Sequence, residues 1–104
     1  MDPSKLPLIL ELIQDDPDDP VLLLNAGKIL LQTKHADEAL VHLRRLAEKH
    51  PTNMAVYREL GAAFLLRGET RSAKQAYEKG HQVSLAARDP AAASEYESLI
   101  GQCF

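Results

Sequence analysis

Apolar positions recur at intervals of three and four residues in six successive segments of this chain, and proline, glycine or aspartate punctuates the gaps. Such intervals place side chains on one face of an α-helix, whereas a half-buried strand alternates every second residue. The pattern predicts six helices and no strand. The first covers about residues 5–14, with Ser4 as its cap and Pro7 in the first turn, where the missing N–H has no intrahelical acceptor in any case. Asp15, Asp16 and Pro17 stop it. Asp19 and Pro20 then supply an N-cap acid followed by proline at the first helical position. The helix they open runs to about Gln32. Val21, Leu22, Leu23, Leu24, Ala26, Ile29, Leu30 and Leu31 make it apolar nearly all round, so neighbours must cover it on several sides.

The third helix, about 36–49, carries Asp37 and Glu38 in its first turn and Lys49 and His50 at its end, which suits the helix dipole. Its apolar stripe is Ala39, Leu40, Leu43, Leu46 and Ala47. Pro51 ends it, Thr52 or Asn53 caps a fourth helix over about 54–67, and Gly68 breaks the chain before a fifth from Thr70 to about Ala87. Asp89 and Pro90 repeat the acid–proline start for a last helix to about Gln102, with the stripe Ala92, Tyr96, Leu99, Ile100 and Cys103.

These segments are not independent. The offset from Gly27 to Gly61 also carries Leu23, Ala26, Leu30, Ala39 and Leu43 onto Tyr57, Leu60, Phe64, Ala73 and Tyr77. A period of this length, about 34 residues, marks a helix–turn–helix unit that stacks on its neighbours because it cannot bury its apolar face alone. The pattern resembles the tetratricopeptide repeat family, whose signature is Trp-x2-Leu-Gly-x2-Tyr, then Ala-x3-Phe, then Pro. Residues 20–53 form one unit, ending near Pro51, and residues 54–87 a second, with Leu85 where proline is usual. Ile9, Leu12 and Pro17 sit one such period before Leu43, Leu46 and Pro51, so residues 5–17 resemble the second helix of an incomplete unit. Tyr96 to Leu99 echoes Tyr57 to Leu60 but later than one period would place it. Residues 90–104 therefore form a terminal helix behind a fifth helix about one turn longer than its counterpart. The expected architecture is an all-α solenoid of stacked antiparallel helix pairs, one domain over residues 1–104, with a capping helix at each end. Leu23 stands where an aromatic residue is usual. Gly80 stands where alanine is usual, and mid-helix it costs about 1 kcal/mol against alanine, which predicts close approach of the last helix.

Composition narrows the function. Apolar residues make up 45% of the chain and aromatic residues only 5%, so the core is built from leucine and alanine. The net charge of −3 leaves no basic excess for a nucleic-acid backbone. Cys103 is alone, which excludes an intramolecular disulfide and suits a cytoplasmic protein. The run Leu6 to Ile13 contains Pro7 and Glu11 and has only Lys5 ahead of it, unlike a signal peptide; no apolar stretch approaches the roughly 20 residues of a membrane span.

Candidate chemistry is sparse. His35, His42, His50 and His81 never pair at the spacing that converges two ligands on a helix, so no metal site is expected. Asp15, Asp16, Asp18 and Asp19 superficially suggest a calcium loop, but its required glycine and glutamate positions hold Pro20 and Ala26, leaving caps and turns. Cys103 ends an apolar stripe and reads as a small buried hydrophobe. No phosphate loop or nucleophile elbow is present, so no catalytic residue and no cofactor are expected.

The informative surface follows from the resemblance, which implies that first helices line a concave channel. The matching positions are Val21, Leu24, Asn25, Lys28 and Leu31, with Gln32 beside them, in one unit. In the other they are Ala55, Arg58, Ala62, Leu65 and Leu66, with Glu59 beside them. That face is apolar with two cations. Some members of the family clamp a C-terminal carboxylate with lysine, asparagine and arginine at the fifth and ninth positions of three repeats; here those positions hold Leu24, Lys28, Arg58 and Ala62, and the clamp is absent. The resemblance implies a non-catalytic scaffold or adaptor that binds a peptide or helix of a partner protein, with no nucleic-acid or membrane role. The alternative is a homodimer, formed through the groove or by exchange of a terminal helix.

Overall fold

Three side chains start helices by the mechanism their positions predict. In the computed structural model, which describes residues 1–103, the Asp19 carboxylate accepts hydrogen bonds from the Val21 and Leu22 N–H groups at 2.9 and 3.0 Å. Asn53 accepts from Val56 N–H at 3.1 Å, and Asp89 from Ala92 N–H at 3.0 Å. The helices are α1 (Leu6–Asp15), α2 (Pro20–Gln32), α3 (Ala36–Lys49), α4 (Met54–Leu66), α5 (Thr70–Ala86) and α6 (Pro90–Gly101). Among the described residues there is no strand. The final position of the expected terminal segment, Phe104, lies outside the described residues.

Ser4 does not cap α1. Its backbone N–H donates to the Asp2 carboxylate at 2.9 Å, and a short 3-10 turn, Pro3–Lys5, precedes the helix. Lys5 then occupies the α1 N-cap with no side-chain bond. Pro3 and its acidic cap start the chain turning earlier than a serine cap at Ser4 would require.

Three helices end by one device. After α2, Lys34 N–H donates to Leu31 O and His35 N–H to Leu30 O; after α4, Gly68 donates to Leu65 O and Glu69 to Phe64 O; after α5, Arg88 donates to Leu85 O and Asp89 to Ser84 O. These paired bonds are Schellman closures, which need a left-handed residue just past the helix. Gly68 takes that conformation freely at φ +78, whereas Lys34 and Arg88 take it with side chains at φ 67 and 58.

Packing follows chain order. Each helix lies against the next from α1 to α6, and α2 also meets α4. Leu23, Leu30, Leu40, Leu43, Leu46, Val56, Tyr57, Leu60, Tyr77 and Tyr96 form one continuous core. Glycine marks three crossings: a methyl group on Gly27 would overlap Leu43, one on Gly61 would overlap Tyr77, and one on Gly80 would overlap Tyr96. The large partner follows its glycine at the same interval along the chain each time. The close approach expected at Gly80 is therefore made by α6, through Tyr96. The all-α stack of antiparallel pairs is the architecture the sequence implies.

Candidate functional site

The periodicity of α2 and α4 places the two sets of candidate residues on adjacent helices. Val21, Leu65 and Leu66 are exposed at 64%, 44% and 42%, while Leu24, Asn25, Lys28, Leu31, Ala55, Arg58 and Ala62 are half-buried. Leu24 and Leu31 pack against the core with one flank, so part of the apolar character of this face serves the fold. The rest faces outward.

The two cations are not equivalent. Lys28 has no ion-pair partner among the described residues. Arg58 is held by α6: its Nη1 lies 2.6 Å from Glu95 Oε1, its Nε lies 3.7 Å from Glu59 Oε1, and its backbone N–H donates to the Tyr96 hydroxyl at 3.0 Å. The bond to Glu95 is the main reason the Arg58 guanidinium titrates above its usual range. The Tyr96 hydroxyl also donates to Met54 O, so one side chain from α6 meets two backbone groups in the first turns of α4. Tyr96 is only 4% exposed, and its burial pushes the phenol pKa up to about 12, partly offset by the Arg58 N–H bond.

Glu95 and Tyr96 therefore border the candidate face although neither belongs to the sets read on α2 and α4. The signal that marks Tyr96 is its distance along the chain from Gly80, the same as from Gly27 to Leu43 and from Gly61 to Tyr77. Nothing in the sequence marks Glu95 as the partner of Arg58.

Elsewhere the polar groups tie elements together. Arg45 donates to Pro17 O at 2.9 Å and pairs with Asp18 at 2.7 Å, and the His50 ring lies 2.8 Å from Asp18 O, pinning the α1–α2 turn to α3. Arg67 pairs with Asp37 at 2.8 Å, and His81 lies 3.0 Å from Glu97. The Arg44 guanidinium lies 5.6 Å from the Phe64 ring centroid. His35 lies 2.9 Å from Thr33 Oγ1, and half-buried His42 titrates below its usual range, chiefly through burial. Cys103 is buried, with Leu99 O 3.5 Å from its sulfur. Among the described residues no three metal-type ligands cluster, and no helix is long and apolar enough to cross a membrane. A cleft of about 370 Å³ lies at the edge of the stack, lined by Lys34, His35, Asp37, Glu38, Leu66 and Arg67. Leu66 thus links the candidate face to that edge.

Helices packed in chain order, with glycine seating a large side chain at three of their crossings, define a helical-repeat protein. A family model described as tetratricopeptide repeat matches residues 6–64, more than half of the sequence, and the chain belongs to that family. No curated protein matches the sequence significantly. The structure is similar to the solution structure of protein BPP2914 from Bordetella parapertussis, with a TM-score of 0.81 and 22% identity, covering 94% of this chain and 85% of that one. At that identity the likeness concerns the fold alone.

Proposed function

We propose that the chain is a non-catalytic adaptor whose face of α2 and α4 holds an apolar segment of a partner protein that also carries an acidic group. Proteins of this family generally serve as protein-interaction modules, and the observation that carries the reading here is that Val21 on α2 and Leu65 and Leu66 on α4 face outward while Lys28 on α2 has no ion-pair partner among the described residues. A small domain that leaves large apolar side chains uncovered on one pair of helices offers area that a partner can bury on binding. The leucines supply desolvation at about 25 cal/mol per Å² buried. The cation adds about 0–1 kcal/mol and sets orientation. Since Glu95 already neutralises Arg58, Lys28 carries most of the charge selection.

The test immobilises the full chain and compares proteins captured from extracts of its source cell by wild type, Leu65→Asp, Lys28→Glu and Val41→Asp. Val41 is 66% exposed on α3 and serves as the off-face control. A partner on this face is retained by Val41→Asp, lost with Leu65→Asp at any salt, and weakened by Lys28→Glu mainly at low salt. Identical capture by all four proteins would move the site off α2 and α4.

A further inference from the structure

α1 stands one repeat period before α3, yet the two helices bury the same register differently. Leu43 and Leu46 of α3 are fully buried. Their counterparts on α1 are Ile9, half-buried, and Leu12, 43% exposed, with Leu8 beside them at 58%. Leu6 and Ile13 pack against the core, so α1 rests on the stack by that flank and leaves the other uncovered. What α3 has over Leu43 is the helix before it. Gly27 of α2 lies so close that a methyl group there would overlap the leucine, and Gly61 of α4 meets Tyr77 of α5 in the same way. Among the described residues no helix takes that place on α1.

The polar residues at this register are reversed in sign. Arg45 of α3 pairs at 2.7 Å with Asp18, just ahead of α2, and the His50 ring lies 2.8 Å from Asp18 O, so a basic end receives an acidic helix start. One period earlier α1 carries Glu11 and Asp16 at those positions, and Asp15 where α3 has Lys49. All three acids are exposed and form no ion pair among the described residues. At the opposite end of α1, Lys5 stands where α3 has Ala39. A helix that crosses α1 antiparallel, as α2 crosses α3, sets its N-terminus by the acids and its C-terminus by the lysine. Both ends then suit the dipole of the incoming helix.

We propose that this flank of α1 holds a helix of a partner protein, crossing antiparallel as α2 crosses α3. The helix has glycine or alanine near its middle over Ile9, apolar neighbours on Leu12 and Leu8, and a lysine or arginine just ahead of its first turn against Glu11 and Asp15. This is the interface that the stack already repeats twice, and it lies apart from the outward face of α2 and α4 on which the partner-binding reading rests. A second copy of this chain does not supply such a helix. Its mid-helix glycines, Gly27, Gly61 and Gly80, are filled by Leu43, Tyr77 and Tyr96, and Gly101, which is open, is the last residue of α6. α2 and α6 also begin on acids, Asp19 and Asp89, which would face the acids of α1.

The test uses the full chain and a fluorescent synthetic peptide copying residues 50–67, which carries Gly61 and the Asn53 cap, with Thr52→Lys. Residue 52 stands one period after Asp18. Fluorescence anisotropy at low and high salt reads the binding. Wild type binds the lysine-led peptide saturably, and Val41→Asp binds it equally. Leu12→Ser weakens it about tenfold at either salt. Glu11→Lys with Asp15→Lys weakens it about fivefold at low salt and less at high salt, and this form instead prefers a peptide with Thr52→Asp. Gly61→Leu in the peptide abolishes binding, a control that leaves the folded chain untouched. Circular dichroism melts establish that each chain variant is folded. No binding by wild type, equal binding by Leu12→Ser, a wild type that favours the Thr52→Asp peptide, or a tolerated Gly61→Leu peptide would overturn the proposal. So would loss with Leu65→Asp but not with Leu12→Ser, which puts the peptide on the face of α2 and α4. A dimer of the chain alone that Leu12→Ser dissolves, read by sedimentation velocity, would also overturn it, with a second copy as the occupant.

Discussion

The two ends of the stack secure their terminal helices differently. At the N-terminal end α1 buries no residue fully; Leu6 and Ile13 lean on the core, and the turn that follows is pinned by Arg45 and His50. At the C-terminal end α6 buries Ala93 and Tyr96, seats the tyrosine ring on Gly80, and reaches two backbone groups of α4 with its hydroxyl. By composition the ranking would be reversed. Leu6, Leu8, Ile9, Leu10, Leu12 and Ile13 make α1 the more apolar helix, yet α6 is the better anchored. What anchors a terminal helix here is a backbone seat for one large side chain. Apolar content without such a seat leaves leucines in water.

This contrast can be broken most directly at the anchors. Truncation before Pro90 should expose the Gly80 face of α5 and abolish cooperative unfolding, whereas a chain that still melted in a single sharp transition would show α6 to be dispensable. The point substitution Tyr96→Ala should cost about 3–5 kcal/mol, and Leu8→Ala at the opposite end about 0.5 kcal/mol or less, both read by urea denaturation. Equal losses would erase the distinction between the two ends.

The glycine seats sharpen it at the next level. Gly61→Ala and Gly80→Ala should each destabilise by about 1–3 kcal/mol through overpacking against tyrosine rings, although alanine returns about 1 kcal/mol of helix propensity. Gly27→Ala should cost less, because the group overlapped is the branched end of Leu43, which can rotate away. Thermal melts of the three variants give the order, and a larger loss at Gly27 would contradict it.

Smaller effects separate the hydroxyl from the ring. Tyr96→Phe should cost about 1 kcal/mol, the net worth of a hydrogen-bonded hydroxyl. The folded-state pKa of Tyr96 is raised from 10.0 to about 12, so the stabilisation linked to its protonated form is fully present below pH 10 and disappears as pH rises through about 12. Chemical denaturation across that window should show wild-type stability falling with pH and Tyr96→Phe falling less steeply. Tyr57 and Tyr77, both raised by burial, continue to contribute in each protein. Last, Lys34→Gly should stabilise by up to about 1 kcal/mol by relieving the left-handed conformation at the end of α2. A destabilised variant would mean that the lysine side chain has a use not evident from its position.

What the residues determine by themselves is local or periodic. Asp19, Asn53 and Asp89 cap helices because their acceptors meet N–H groups two or three positions away. Gly27 and Gly61 announce equivalent crossings because their neighbours repeat in the same register, and the face shared by Val21, Leu24, Lys28 and Leu31 follows from helical geometry. The one misplaced start, at Ser4, arose where two capping residues compete within three positions. Tertiary structure decided the rest. That Arg58 is neutralised by Glu95 from a distant helix, that the Tyr96 hydroxyl meets α4, and that Leu8 and Leu12 remain in water all depend on how α1 and α6 come to rest on the stack. Composition and spacing say which side chains share a helix face, because backbone geometry dictates it. They do not say which neighbour reaches that face, because contacts between distant segments are chosen by the packing of the whole core.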